Sequence, residues 1–369
     1  KLKIEFIILS KKRYIYIDLN ENKNLDDNNL MKEISELKQM IKNKDKKIKL
    51  LEDELELYKQ KENSYNSYDN FNIEFKDPIH ILKNHTNSIL CTTVLKDGRF
   101  VTGSKDHSII IYNNKTFKPD LTIKKHNGSV FCVTQLSSGL LASCSGDKTI
   151  KLFNIIGNKY SIIQILSFHQ NFVYKIIELK NKQIVSCSED KSIIFYSKDI
   201  KDLNKNIKDY SFSTNGPTGP IIQTKDNEIC YSEYNNGNAI CFFDLLQRKN
   251  LFKLNNIILA NNIYDSIIMI TKDLLLITGI GKFSIVNVNS HNIIKTIDVS
   301  QSFSIGCMIN KNMLLTADIN KIIQWKIEDN DLKVFSKKEI ADNVGISTLI
   351  KIGNGVILSG GIDYTVKIW

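Results

Sequence analysis

The chain has 369 residues, 42% of them hydrophobic and 24% charged, with a formal net charge of +10. That length exceeds one ordinary small domain, and the balance excludes a disordered chain or one that is membrane-like throughout. No uninterrupted apolar run approaches the ~20 residues of a transmembrane helix. Residue 1 is Lys and the N-terminus lacks a signal-peptide pattern, which is consistent with a piece of a longer protein.

Residues 1–76 hold 16 Lys and Arg against 15 Asp and Glu, leaving 34 against 25 for residues 77–369. The basic excess therefore lies in the second part, where it would suit RNA or an acidic lipid surface. Lys, Asn and Ile saturate the whole chain, however, so a solvated basic surface is the favoured reading.

Residues 1–20 form a β-rich segment: two β-rich runs flank Ser10-Lys11-Lys12-Arg13 and predict a hairpin, read as the end of an upstream domain. Residues 25–62 read as a helix with a heptad seam. Ile34, Ile41, Ile48 and Leu55 occupy a, while Leu30, Leu37, Lys44, Leu51 and Tyr58 occupy d. Ile at a with Leu at d favours a parallel two-stranded coiled coil, and the pairs Glu33–Lys38, Lys47–Glu52 and Glu54–Lys59 are attractive. A homodimer through residues 30–58 is the expectation; the alternative is a single amphipathic helix lying on another domain. Residues 63–77, rich in Asn, Ser and Tyr, read as a linker.

From residue 78 onward the chain repeats itself. Similar units begin at His85, His126 and His169, spaced by 41 and then 43 residues. Each holds an apolar strand, a turn, a small-residue strand ending in Ser-x-Asp, a tight turn and a β-branched strand ending in an aromatic. Such a unit cannot bury its faces alone, so the units must stack. The third-strand ends Tyr112, Phe153, Tyr196, Phe243, about Val288, Trp325 and Trp369 count seven units. No outer strand follows Trp369, so the segment Ile79–Leu82 is expected to return and complete the seventh.

The repeat resembles the WD40 family. The fold class so implied is all-β, a seven-bladed WD40-type β-propeller over 78–369, preceded by an α-helical coiled coil. The resemblance assigns a structural hydrogen-bonded set to His85, Ser104, Asp106 and Tyr112, to His126, Ser145 and Asp147 with Phe153, and to His169, Ser188, Asp190 and Tyr196. A Ser/His/Asp set invites a catalytic triad, but threefold recurrence at a fixed period marks a fold device. Units four to six lose the pattern, so apolar packing alone is expected to hold them; unit six keeps Asp318 and Trp325 one residue out of step.

The seven cysteines show no Cys-x-x-Cys; Cys91 and Cys132 share a repeat position, as do Cys144 and Cys187, which predicts buried thiols in a reducing, intracellular and cytoplasmic setting rather than ligands or disulfides. No catalytic constellation, metal cluster or nucleotide loop stands out, and no cofactor is expected. By family habit, proteins or peptides bind where the d–a and b–c loops meet. That implies partner contacts at Lys105, Phe131, Phe172, Tyr174 and Glu189, flanked by Ser88, Leu90, Ser129, Gly345, Ser347 and Ile362. A scaffold dimerised by its coiled coil is the leading reading. The alternatives are the substrate receptor of a ubiquitin ligase with an upstream zinc-binding module, or a propeller binding RNA or phosphoinositide.

Overall fold

The computed structural model describes residues 6–8, 13–15, six single positions between 35 and 49, and 77–369 except 198–207, 235–237, 256, 258–266, 280, 300–304, 318–320, 329–330 and 340–344. The chain divides into two units, Lys1–Asn70 and Phe71–Trp369. In the first, Phe6–Ile8 pairs antiparallel with Arg13–Ile15, so Arg13 belongs to a strand and not to the turn. Ser35, Gln39, Lys42, Asn43, Ile48 and Lys49 carry helical backbone. The rest of the heptad seam and the linker up to residue 76 lie outside the described residues.

The second unit is seven four-stranded antiparallel sheets, each lettered a to d from the inside out. Blade one is Ile89–Val94, Phe100–Ser104, Ile109–Tyr112 and Pro119–Ile123. Blade seven takes Ile346–Lys351, Ile357–Gly361 and Val366–Ile368 from the chain end, and its strand d is His80–Leu82 from before blade one. The pairs His80–Ile368, Ile81–Lys367 and Leu82–Val366 join the two ends of the unit and leave no broken blade.

Position in the blade explains composition. Strands b such as Leu141–Ser145 and Ile184–Ser188 are buried at every residue, being covered on both faces by neighbouring blades. Outer strands such as Lys159–Leu166 are largely exposed. Seven apolar clusters hold the ring, each shared by two neighbouring blades. One joins Ile89, Phe100 and Tyr112 of blade one to Leu358, Val366 and Ile368 of blade seven. Another joins Leu274 and Phe283 of blade five to Leu314 and Trp325 of blade six. Each fully buried Phe or Leu side chain contributes about 1.5–3 kcal/mol by leaving water.

A second device recurs on the a–b side. The backbone N–H of Lys96, Ser137 and Lys180, each just past strand a, donates to a side chain of the next blade: Gln135 at 2.7 Å, Glu178 at 2.6 Å and Gln223 at 2.7 Å. These turns are thereby satisfied by a neighbour 39 to 43 residues ahead.

The cysteines are free; six are buried and Cys307 is half-buried. Burial pushes the Cys241 and Cys307 thiols up to about 12, so they pack as small apolar groups.

Candidate protein-binding face

On the opposite side of the ring, the d–a and b–c loops are tied together by one hydrogen bond repeated in five blades. The N–H following strand b donates to the carbonyl just before strand a: Lys105 to Ser88, Gly146 to Ser129, Glu189 to Phe172, Tyr234 to Pro217 and Ile362 to Gly345, at 2.8–2.9 Å. In blades one to three the turn aspartate adds a second tie. His85 Nδ1 lies 2.8 Å from Asp106, His126 Nδ1 2.7 Å from Asp147, and His169 Nδ1 2.8 Å from Asp190. The N–H after each histidine donates to the same carboxylate.

The other histidine nitrogen corrects the serine assignment. Nε2 meets Thr102, Ser143 and Ser186, each at 2.7 Å, and not Ser104, Ser145 or Ser188. The latter three donate instead to carbonyls at the start of strand a and accept the turn aspartate's N–H. Both hydroxyls of each strand b lie on one face, because side chains two apart share a face. The histidine enters deep enough to reach only the inner one. In blade three Tyr196 extends the chain, its hydroxyl 3.0 Å from Ser186. Phe153 offers no such group in blade two; there the buried Lys151 ammonium reaches Asp147 at 2.9 Å from the other end.

Burial would push Asp106, Asp147 and Asp190 up, but the bonds from histidine, the turn hydroxyl and the backbone outweigh it and hold all three well below the ordinary carboxylate range. Burial lowers His126 below its ordinary value against the pull of Asp147. With Nδ1–H donating to Asp147, Nε2 of the neutral ring accepts from Ser143. These groups are consumed by one another.

Blades four to six are not held by apolar packing alone. Glu233, 1% exposed, takes the place of the serine before the turn and binds Lys253 at 2.5 Å. Buried Glu228 of blade four accepts from Thr224 at 2.7 Å and meets His291 of blade five at 2.9 Å. Trp325 is in step: its indole N–H donates to Thr316 at 2.8 Å, as Trp369 donates to Ser359 at 2.9 Å. Thr316 and Trp325 are 9 residues apart where Ser359 and Trp369 are 10. Asn235–Gly237, Asp318 and Asp342 lie outside the described residues.

What remains chemically unspent lies above strand a. The pairing of strands a and b skips one residue in four blades, at Leu90, Phe131, Tyr174 and Ser347. A bulge of this kind turns its side chain out of the ladder. Leu90 and Ser347 are buried, and Ser347 donates to the Ile89 carbonyl. Phe131 is half-buried and Phe172, just before strand a of blade three, is 43% exposed. Their ring centroids are 6.0 Å apart, and Tyr174 meets Phe131 edge-on at 5.2 Å. Tyr174 itself is only 8% exposed, its hydroxyl donating to Glu189. It therefore supports the two phenylalanines rather than standing out. Lys105 is exposed and Glu189 half-buried; Ile362, exposed beside Gly345, belongs to blade seven, next to blade one.

Two contributors escape the repeat pattern. Gly146 lies under the rings, where an added Cβ would sit 3.4 Å from Phe131 Cε2 and 3.6 Å from Phe172 Cδ1. Tyr234 covers Gly219, which holds the position of Phe131 in blade four; aligning Tyr234 with Glu189 through the shared backbone bond would have found it.

The family model described as WD domain, G-beta repeat matches residues 76–113 and 117–154. The ring is a WD40-type β-propeller. This WD40 fold is similar to the solved structure of U3-55K, at 14% identity and a TM-score of 0.65, over 79% of this chain and 98% of that one. It is also similar to the WD40 beta propeller domain of Doa1, at 15% identity and a TM-score of 0.64, over 79% of this chain and 95% of that one. At these identities the likeness is one of fold. No curated protein matches the sequence. Among the described residues no helix is long and apolar enough to cross a membrane.

Proposed function

We propose that the chain is a non-catalytic interaction scaffold whose WD40-type ring holds protein or peptide partners on the face carrying Phe131 and Phe172. One observation supports this above the others: two phenylalanines from adjacent blades are displayed at the loop-bearing end of the ring, one from a bulge and one 43% exposed, over a tyrosine fixed by Glu189. Exposed aromatics on a rigid support are the usual anchors of protein interfaces. The His, Ser and Asp groups nearby are engaged in holding loops, which supports binding over catalysis. Lys105 supplies charge at the rim. Pairing of residues 30–58 would present two rings at once and raise avidity for repeated partners.

The test is capture of partners by the wild type and by a Phe131→Ala, Phe172→Ala variant of equal thermal stability. Partners lost only from the variant support the face, and an unchanged set overturns it. Mass measurement of residues 20–65 checks the dimer, where a monomeric mass at high concentration would remove that part.

A further inference from the structure

Resting on that reading of the face, we propose that its partner is an acidic peptide segment, with Asp or Glu on both sides of an apolar anchor that sits against Phe131 and Phe172. The loops around the two rings carry exposed Lys105, Lys124, Lys125, Lys148 and Lys191. Among the described residues none of these five is paired with a carboxylate. The neighbouring carboxylates point the other way: Asp106, Asp147 and Asp190 are turned inward onto their histidines and Glu189 onto Tyr174.

The layout brings charge close to the anchor. Lys148 lies two residues beyond Gly146, which touches both phenylalanine rings; Lys191 lies two residues beyond Glu189, which holds Tyr174. Lys148 and Lys191 sit at positive φ, 69° and 62°, in the b–c turns. There each turn aspartate fixes the backbone that follows it, since Thr149 and Ser192 N–H donate to Asp147 and Asp190 at 3.0 Å. The ammonium groups are thus carried by ordered turns, not by loose loops.

The two arginines of residues 77–369 are engaged elsewhere, Arg99 with Asp97 and the Gly157 carbonyl, Arg248 over the Tyr210 ring. The positive charge of this face is therefore carried by lysine ammonium groups, which act as point charges. A half-buried apolar floor ringed by point charges fits an extended segment with one apolar side chain and flanking acids.

The experiment is selection by the full chain from a degenerate peptide library with a fixed central Phe or Leu. Enrichment of Asp and Glu on both sides is expected, with affinity for the selected peptide falling at least about tenfold in a Lys105→Glu, Lys148→Glu, Lys191→Glu variant. These side chains are exposed, so the urea midpoint of that variant should match the wild type. Enrichment of neutral or basic residues would overturn the acidic assignment, as would retention of phosphatidylserine vesicles or single-stranded RNA in place of peptides. If such neutral peptides are still lost in Phe172→Ala, the face stands and only the acidic class falls. Selection of nothing, or selection indifferent to both phenylalanines, would remove the face as well.

Discussion

Blades one to three and blades four to six differ in where their buried polar contacts lie. In the first three, polar contacts tie the b–c turn to the loop before strand a and satisfy the groups that the tie buries. The first three use one solution three times, a histidine bridging the turn aspartate and an inner hydroxyl of strand b. Among the described residues the later blades carry unlike pairs at other places: Glu233 at the end of strand b with Lys253 of strand d, Glu228 with His291 between two blades on the a–b side, and Trp325 of strand c with Thr316 of strand b. The backbone architecture survives both, because the interblade apolar clusters recur whether or not the polar set does. Repetition of the polar set is therefore a property of the loops, and the loops of blades one to three are the ones that display the proposed binding residues.

Acid should separate the two regions most strongly. Asp106, Asp147 and Asp190 are held below the ordinary aspartate range in the folded chain. The unfolded chain takes up these protons first, near pH ~3.9. Their stabilisation is thus present above that value and lost as pH falls through and below it. His126, lowered by burial, acts in the same sense from about pH 6.5 downward. Amide exchange in strands b of blades one to three should rise before that of blades four to six as pH falls, with blade two leading. A uniform rise would break the comparison.

Next in size is Asp147→Ala. It strands His126 and the buried Lys151 ammonium together, and should cost about 3–5 kcal/mol in urea denaturation. A cost below that of the Trp325 change would show that the repeated set is not the stronger tie. Trp325→Phe keeps most of the apolar volume of blade six but removes the donor to Thr316, for an expected loss of about 1–2 kcal/mol. Smallest is Lys148→Gly. Relief of positive φ and added freedom of the unfolded chain nearly cancel, so the urea midpoint should shift by no more than about 0.5 kcal/mol equivalent. A large loss there would mean that the Lys148 side chain itself supports the turn.

The proposed site was only partly legible. Phe131 and Phe172 stand at positions that the family resemblance assigns to partner contacts, and the structure brings their rings to 6.0 Å between centroids. Tyr174 has the same repeat position as Phe131, yet it is buried because Glu189 of its own blade captures its hydroxyl. That capture depends on a residue 15 positions away, and no local pattern encodes it. Gly146 and Tyr234 were missed for a related reason: one acts by lacking a side chain, and the other substitutes for a residue that blade four lacks.

By itself the sequence determined the number of blades and the closure, since a period of 41 to 43 residues and a strand before the first unit leave one arrangement that pairs every inner strand. It also determined which histidines and aspartates recur. Only the tertiary structure decided which hydroxyl each histidine meets, because Ser143 and Ser145 share a face and differ only in depth. Only it revealed the ties of the irregular blades. Glu228 and His291 stand 63 residues apart in different blades, and their meeting follows from how the sheets pack and not from any spacing along the chain.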